Sequence, residues 1–358
     1  MRTFTFSILS LFLCFSELNA ADAAPSDFET LMGKNTAHWQ HVKQESDVAF
    51  LQQCKDLYEK NITLKEVAST SIKIPKTVHF IWLGPKAFPP KSVENIRTWM
   101  SNNPDWTFVY WTDKDRPAPC NGMEVRQVKD FSFTRLGSRF AQTENWGEKS
   151  DILRYEILLK EGGVYVDHDA NCLQPFDGLH KAYDLYCCLE TPHTPFVGQN
   201  LTCGNGVIGS KPSHPTIQKV IDLIDSRWDS LGNQFRGKDN FSKEELVMQR
   251  TYIAITDVLK NGSSFDGSCD IVLPSAYFFA KSGVKSLYSK HFYANSWAED
   301  NADDPEWEKM ISSSIIKLKH SSKHFLLYFF ALVGLSLISV ITLCVILIKV
   351  KQRYFSKD

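Results

Sequence analysis

Through the middle of this chain, short runs of β-branched and aromatic residues alternate with stretches whose apolar side chains recur every three or four positions. That is the pattern of strands interleaved with helices. "TVHFIWLG", from Thr77 to Gly84, reads as a strand closed by Gly-Pro; residues 91–101 have helical spacing up to Pro104; "WTFVYWT", from Trp106 to Thr112, reads as a second strand. This order is a βαβ unit and predicts an α/β fold of the nucleotide-binding kind. The block "SDILRYEILLKEGGVYVDHD" predicts a helix capped by Ser150 and stopped at Gly162, then a strand over residues 164–166. Strands follow at "LYCCLE" and "GVIGS", helices over residues 215–228 and 243–260, a late strand in "DIVLPSAYFFA" and a turn at "HFYANSW".

Both ends break this rhythm. Residues 4–15 form an apolar run behind Arg2, too short to span a bilayer but suited to a signal sequence, and Ala21-Asp22-Ala23 fits a cleavage site. Residues 325–348 carry no charge and are long enough to cross a membrane, with Lys349, Lys351, Arg353 and Lys357 beyond them. The expected organisation is a signal peptide (1–23), a helical lead-in (24–73), a catalytic α/β domain (74–300), a stalk (301–324), a transmembrane helix (325–348) and a basic tail (349–358). A single-pass membrane protein with an extracytoplasmic domain is the expectation, in a Golgi or secretory lumen if the source is eukaryotic.

Charge adds little. The 40 basic and 41 acidic side chains give no general attraction to nucleic acid. Of nine cysteines, those outside the terminal apolar runs show no zinc spacing or disulfide framework, and Cys187-Cys188 reads as buried. Sequons at Asn61, Asn200, Asn240 and Asn261 are compatible with a secretory lumen.

Two Asp-x-Asp pairs occur, Asp113/Asp115 and Asp167/Asp169. Composition alone accounts for about two in a chain of this kind, so context must separate them. Asp113/Asp115 follows a strand and is flanked by Lys114, Arg116 and Pro117, which reads as a solvated turn. Asp167/Asp169 ends a helix–Gly-Gly–strand hairpin. The reversal brings the start of the helix to the end of the strand, so Asp151 and Arg154, three residues apart on one helix face, should meet the two aspartates. On a strand, Asp167 and Asp169 would face one side and His168 the other. Two such carboxylates call for a hard divalent cation whose remaining positions suit a diphosphate.

"IPKTVHFIWLG", "SDILRYEILLKEGGVYVDHDANCLQPFD" and "HFYANSW", in that order, resemble the DXD-containing GT-A glycosyltransferases, in particular fungal α-1,6-mannosyltransferases and, more distantly, clostridial-toxin glucosyltransferase domains. The resemblance implies a Rossmann-like GT-A fold and transfer of a hexose from a nucleotide-diphosphate sugar to a glycan, lipid or protein acceptor, with retention of configuration. It implies that Trp82 stacks on the nucleobase, that Asp151 and Arg154 hold donor hydroxyls and phosphate, that Asp167 meets ribose or sugar and the metal shell, and that Asp169 binds the ion, Mn²⁺ or Mg²⁺, directly. Ser296 and Trp297 would close over the diphosphate, with His291 a further metal ligand, and Asn205 would touch a sugar or the acceptor. No second carboxylate pair suggests a nucleophile and base, so a front-face displacement is expected. The Thr-Gly-Pro common in relatives is absent from "VMQRTYIAITDVL". A metal-dependent phosphohydrolase and a membrane-tethered, non-catalytic sugar-binding protein remain as alternative readings.

Overall fold

Four runs that read as strands, Gly163–Val166, Leu185–Leu189, Cys203–Ser210 and Asp270–Leu273, are buried at every position. Strands buried on both faces belong inside a sheet that is covered on both sides. The computed structural model describes residues 27–65, 71–194, 197–235, 240–261, 269–294 and 296. The chain divides into two compact units, Met1–Ala294 and Asn295–Asp358, and Ser296 is the described residue of the second. The expected signal peptide, stalk, transmembrane helix and basic tail lie outside the described residues. Among the described residues no helix is long and apolar enough to cross a membrane.

The strands are β1 (Thr77–Trp82), β2 (Thr107–Thr112), β3 (Glu124–Gln127), β4 (Gly163–Val166), β5 (Ala170–Cys172), β6 (Leu185–Leu189), β7 (Cys203–Ser210), β8 (Asp270–Leu273) and β9 (Ser289–His291). Seven of them form a mixed sheet in the order β3-β2-β1-β4-β7-β6-β8. The pairs β1–β2, β2–β3, β1–β4 and β6–β8 are parallel, whereas β7 runs antiparallel to both β4 and β6. The carboxyl ends of β1, β4 and β6 therefore share one edge with the amino end of β7. β3, whose positions are exposed or half-buried, closes one side. β5 and β9 form a separate two-stranded ribbon at the same edge, pairing Ala170 with His291.

The helices are α1 (Phe28–Leu31), α2 (Glu45–Asn61), α3 (Pro90–Asn102), α4 (Gly137–Gln142), α5 (Trp146–Glu161), α6 (Asp177–Ala182), α7 (Pro215–Gln234), α8 (Asn240–Val247) and α9 (Ala254–Lys260). α1 and α2 contribute Phe28, Phe50, Cys54 and Tyr58 to the same hydrophobic core as the sheet. Asn61 ties α2 to β8 by donating to the Asp270 carbonyl at 2.7 Å.

Three expectations are corrected. α5 begins at Trp146, not after Ser150, because Asn145 is the cap: its Oδ1 accepts from Glu148 N–H at 2.9 Å. The polar run Gly147 to Ser150 hid this first turn. The helix expected over 243–260 is interrupted by a π-helical turn, Met248–Tyr252, between α8 and α9. Asp167, His168 and Asp169 are not on a strand: β4 stops at Val166 and the three form the turn into β5.

Cys187 and Cys188 are buried and unbridged, as are Cys54, Cys120, Cys172 and Cys203. Of the sequon asparagines, Asn61 and Asn200 are buried, and Asn200 Nδ2 donates to the His193 carbonyl at 3.1 Å, whereas Asn261 is exposed.

Candidate active site

The site is built by the α5–β4 hairpin. Gly162 and Gly163 both have positive φ, 69° and 92°. A Cβ on Gly163 would lie 2.6 Å from the Thr77 carbonyl oxygen, and one on Gly162 would lie 2.8 Å from that of Ser210. Only glycine lets the chain reverse between β1 and β7 here. His79, buried on β1, locks the turn: Trp111 Nε1–H donates to its Nδ1 at 3.2 Å, so Nε2–H donates to the Gly162 carbonyl at 3.0 Å. Burial pushes the His79 pKa down to about 4, which keeps the ring neutral.

α5 is buried nearly all round, including Glu148, Asp151, Arg154 and Glu156. Buried charges need partners. Glu156 takes the backbone N–H groups of Thr134, Arg135 and Leu136 and the Thr134 hydroxyl, at 2.6 to 3.0 Å. Asp151 Oδ1 meets Arg154 Nη2 at 2.7 Å and Asn205 Nδ2 at 3.0 Å; Oδ2 accepts from the Thr251 hydroxyl at 2.7 Å. Burial raises the Asp151 pKa, and Arg154 works against that shift. Arg154 Nη1 donates to the Asn205 carbonyl at 2.7 Å, and its guanidinium lies 4.1 Å from the centroid of the Tyr165 ring.

Arg154 Nη1 also stands 3.4 Å from Asp167 Oδ1, which accepts from the Tyr165 hydroxyl at 2.6 Å. Burial opposes ionisation of Asp167, but the charge of Arg154 and the His291 imidazole outweigh it and hold the carboxyl well below the usual range. Asp167 Oδ2 lies 3.3 Å from His291 Nε2, and Asp169 Oδ1 lies 3.3 Å from the same nitrogen. Asp169 Oδ2 accepts from Ala294 N–H at 2.6 Å. The two carboxylates thus converge although they sit in a turn. His168 points elsewhere, with Nδ1 2.7 Å from the Ser92 hydroxyl and its ring edge-on to Trp82.

Asp167, Asp169 and His291 offer ligand atoms within 4.8 Å of one another. The two carboxylates suit a hard divalent ion. His291 fits less directly. Its Nδ1 accepts from Tyr293 N–H at 3.1 Å, so the ring proton resides on Nε2, which faces the carboxylates as a donor. A ligating histidine has the reverse arrangement, donating from its far nitrogen. As placed, Asp167 and Asp169 are the oxygen donors for a cation, with His291 Nε2 3.3 Å from each of them.

Of the remaining expected residues, Trp82 ends β1 with its indole N–H donating to the Lys86 carbonyl at 2.9 Å. Ser296 belongs to the second unit, and Trp297 lies outside the described residues. Asp113 and Asp115 are exposed, and Asp113 Oδ1 accepts from Gly84 N–H at 3.1 Å. Sequence reasoning missed Tyr165, Gly206 and Thr251. Tyr165 could have been found two residues before Asp167. A Cβ on Gly206 would lie 2.5 Å from Asp167 Oδ2 and 3.1 Å from His291 Nε2, so the glycine makes room for the carboxylate. Thr251 carried no local signal.

Residues 89–186, which contain Arg154, Asp167 and Asp169, match the glycosyltransferase sugar-binding region containing DXD motif. The chain is 29% identical over 199 residues to Subversion of eukaryotic traffic protein A of Legionella pneumophila subsp. pneumophila, covering 51% of this chain and 29% of that protein. It is 26% identical over 157 residues to inositol phosphoceramide mannosyltransferase 3 of Schizosaccharomyces pombe, covering 43% and 38%. The matches thus span well under half the length of these relatives. Among solved structures, PaToxG glycosyltransferase is 19% identical, with a TM-score of 0.39 over 61% of this chain and 80% of that one.

Proposed function

We propose that this chain, related through residues 89–186 to the DXD glycosyltransferases, transfers a hexose from a nucleotide-diphosphate sugar and does so on a GT-A fold. The observation that carries this reading is the meeting of Asp167 and Asp169 around one point at the sheet edge, with Arg154 held behind Asp167. The family match over those same residues supports it. The pair lies at the carboxyl end of β4, the edge where open α/β sheets bind ligands.

In this reading Asp167 and Asp169 would hold Mn²⁺ or Mg²⁺, which would supply positive charge for the diphosphate of the donor. Arg154 keeps Asp167 ionised and ready to bind. Asp151, its oxygens engaged by Arg154, Asn205 and Thr251, positions that guanidinium rather than meeting the sugar itself. Tyr165 fixes the Asp167 carboxylate from below. Trp82 borders the place for the base, and Ser296 and Trp297 remain proposed contacts of the diphosphate. Retention by a front-face path would break the anomeric C–O bond, form the new one on the same face and pass the acceptor proton to the leaving phosphate oxygen. Anchoring by residues 325–348 and an extracytoplasmic domain stay part of the proposal.

The names of the fungal relatives make mannosyl donors the first to test and a lipid acceptor the first to try. The direct experiment is to incubate the purified chain with UDP- and GDP-sugars, with and without Mn²⁺, and to measure nucleotide release. Release that needs both the ion and Asp169 supports the reading; no release with any donor, and no binding of UDP or GDP, would end it.

A further inference from the structure

A buried carboxylate outside the metal-binding pair stands at the same edge. Glu190 follows β6 directly, and its backbone N–H bonds the Thr202 carbonyl at 2.8 Å. β6 runs parallel to β4 through the antiparallel β7, so Glu190 and Asp167 leave the sheet on one side. Glu190 is 8% exposed. Its surroundings differ from those of Glu156, the structural carboxylate of α5, which is saturated by four short hydrogen bonds. Among the described residues Glu190 accepts from the Tyr252 hydroxyl at 2.6 Å, and Lys281 Nζ stands 3.8 Å from Oε2, outside hydrogen-bond reach. An ionised carboxylate has room for about four hydrogen bonds. This one is buried with acceptor capacity to spare.

Its supports lead back to the metal-binding pair. Lys281 lies over the Tyr293 ring at 4.8 Å, and Tyr293 N–H holds His291 Nδ1. Tyr293 has a positive φ of 53°, unusual for an aromatic residue. Tyr252 comes from the π-helical turn, within which the residue before it, Thr251, holds Asp151. An α-helix turns about 100° per residue, which separates neighbouring side chains widely. A π turn is a recurrent device at functional sites. Here consecutive residues reach two carboxylates on different elements, one behind the metal-binding pair and one at the end of β6.

We propose that Glu190, oriented by Tyr252, binds a sugar hydroxyl at this site. The chemistry is that of a carboxylate accepting from a neutral hydroxyl, and the hydroxyl belongs to the donor hexose or to a sugar acceptor. Leaving such an acceptor unpaired discriminates against the wrong sugar. The proposal rests on the glycosyltransferase reading.

The test is Glu190→Gln in the full chain, which preserves size and the oxygen that Tyr252 uses, with Tyr252→Phe as a second variant. UDP and GDP binding with Mn²⁺ is measured by calorimetry, nucleotide-sugar hydrolysis without acceptor by nucleotide release, and transfer with methyl glycosides of mannose, glucose and galactose. Expected are nucleoside diphosphate affinity within about twofold of wild type and a loss of at least about tenfold in kcat/KM. A loss in hydrolysis assigns the hydroxyl to the donor; a loss in transfer alone assigns it to the acceptor. Unchanged kcat/KM in both assays, or an equal loss of nucleoside diphosphate binding, overturns the proposal. A wild-type chain that cleaves no nucleotide sugar refutes the reading beneath it, which is a separate result.

Discussion

Arg154 Nη1 and Asp167 Oδ1 stand 3.4 Å apart, at the two ends of one helix–strand hairpin. The charge of Arg154 keeps Asp167 ionised, and the same guanidinium offsets part of the burial that raises the pKa of Asp151 beside it.

That arrangement predicts an asymmetry. Arg154→Met should leave the buried Asp151 and the half-buried Asp167 without their guanidinium and cost about 3–5 kcal/mol of stability. Adding Asp151→Asn should recover a large part of that loss but none of the activity. Chemical denaturation of the two single variants and the double variant measures the coupling; purely additive losses would contradict the paired arrangement.

Asp169→Asn should fold normally, because the amide oxygen can still accept from Ala294 N–H. Mn²⁺-dependent nucleotide release should fall by roughly 10²–10³, the scale seen when a charge-stabilising group is removed. Release rates within a few-fold of wild type would show that Asp169 does not serve the ion.

Gly206→Ala addresses the site without removing a charged group. Its Cβ would displace the Asp167 carboxylate and crowd His291. We expect weaker Mn²⁺ binding, by at least about tenfold, while Asp169→Asn and Gly206→Ala together lose little beyond either alone, as for residues acting on one site. Mn²⁺ titration followed by electron paramagnetic resonance reads this, and wild-type affinity in Gly206→Ala would refute it.

Acid should loosen the hairpin. Burial lowers the pKa of His79 to about 4 and that of His180 to about 3, both from 6.5. The unfolded chain therefore binds protons that the native one refuses, so stability is full above pH 6.5. It falls as pH drops toward 4 for His79 and 3 for His180, by about 1.4 kcal/mol for each tenfold difference in proton affinity between the unfolded and native chains. Protonating His79 Nδ1 also breaks its bond from Trp111, beside the Gly162 turn. Melting temperatures across pH 4 to 7.5 check this; a flat profile down to pH 5 would contradict it.

What could be read from the sequence was whatever short-range geometry dictates. The β1–α3–β2 unit, the Gly162 stop and the return of β4 along α5 follow from periodicity and from two glycines. They suffice to bring Arg154 to Asp167, and the separation of Asp167/Asp169 from Asp113/Asp115 rests on the same hairpin. Capping was misread at Ser150 because Asn145 and a buried Glu148 begin the helix in a polar stretch. The π turn was invisible because its residues keep helical spacing on either side.

The rest was decided by pairing across long sequence distances. β7 enters antiparallel beside β4, and only that register places Gly206 against the Asp167 carboxylate and Asn205 against Asp151. The β5–β9 ribbon sets His291 opposite Ala170, which carries its imidazole to both aspartates. Thr251 and Glu190 reach the same edge through contacts that no local rule encodes. Hairpin geometry is set by a few backbone angles between neighbours, so it is written in the sequence. The order of strands in a sheet is set by burying a common core, so the partners of each charged side chain appear only when the whole sheet is assembled.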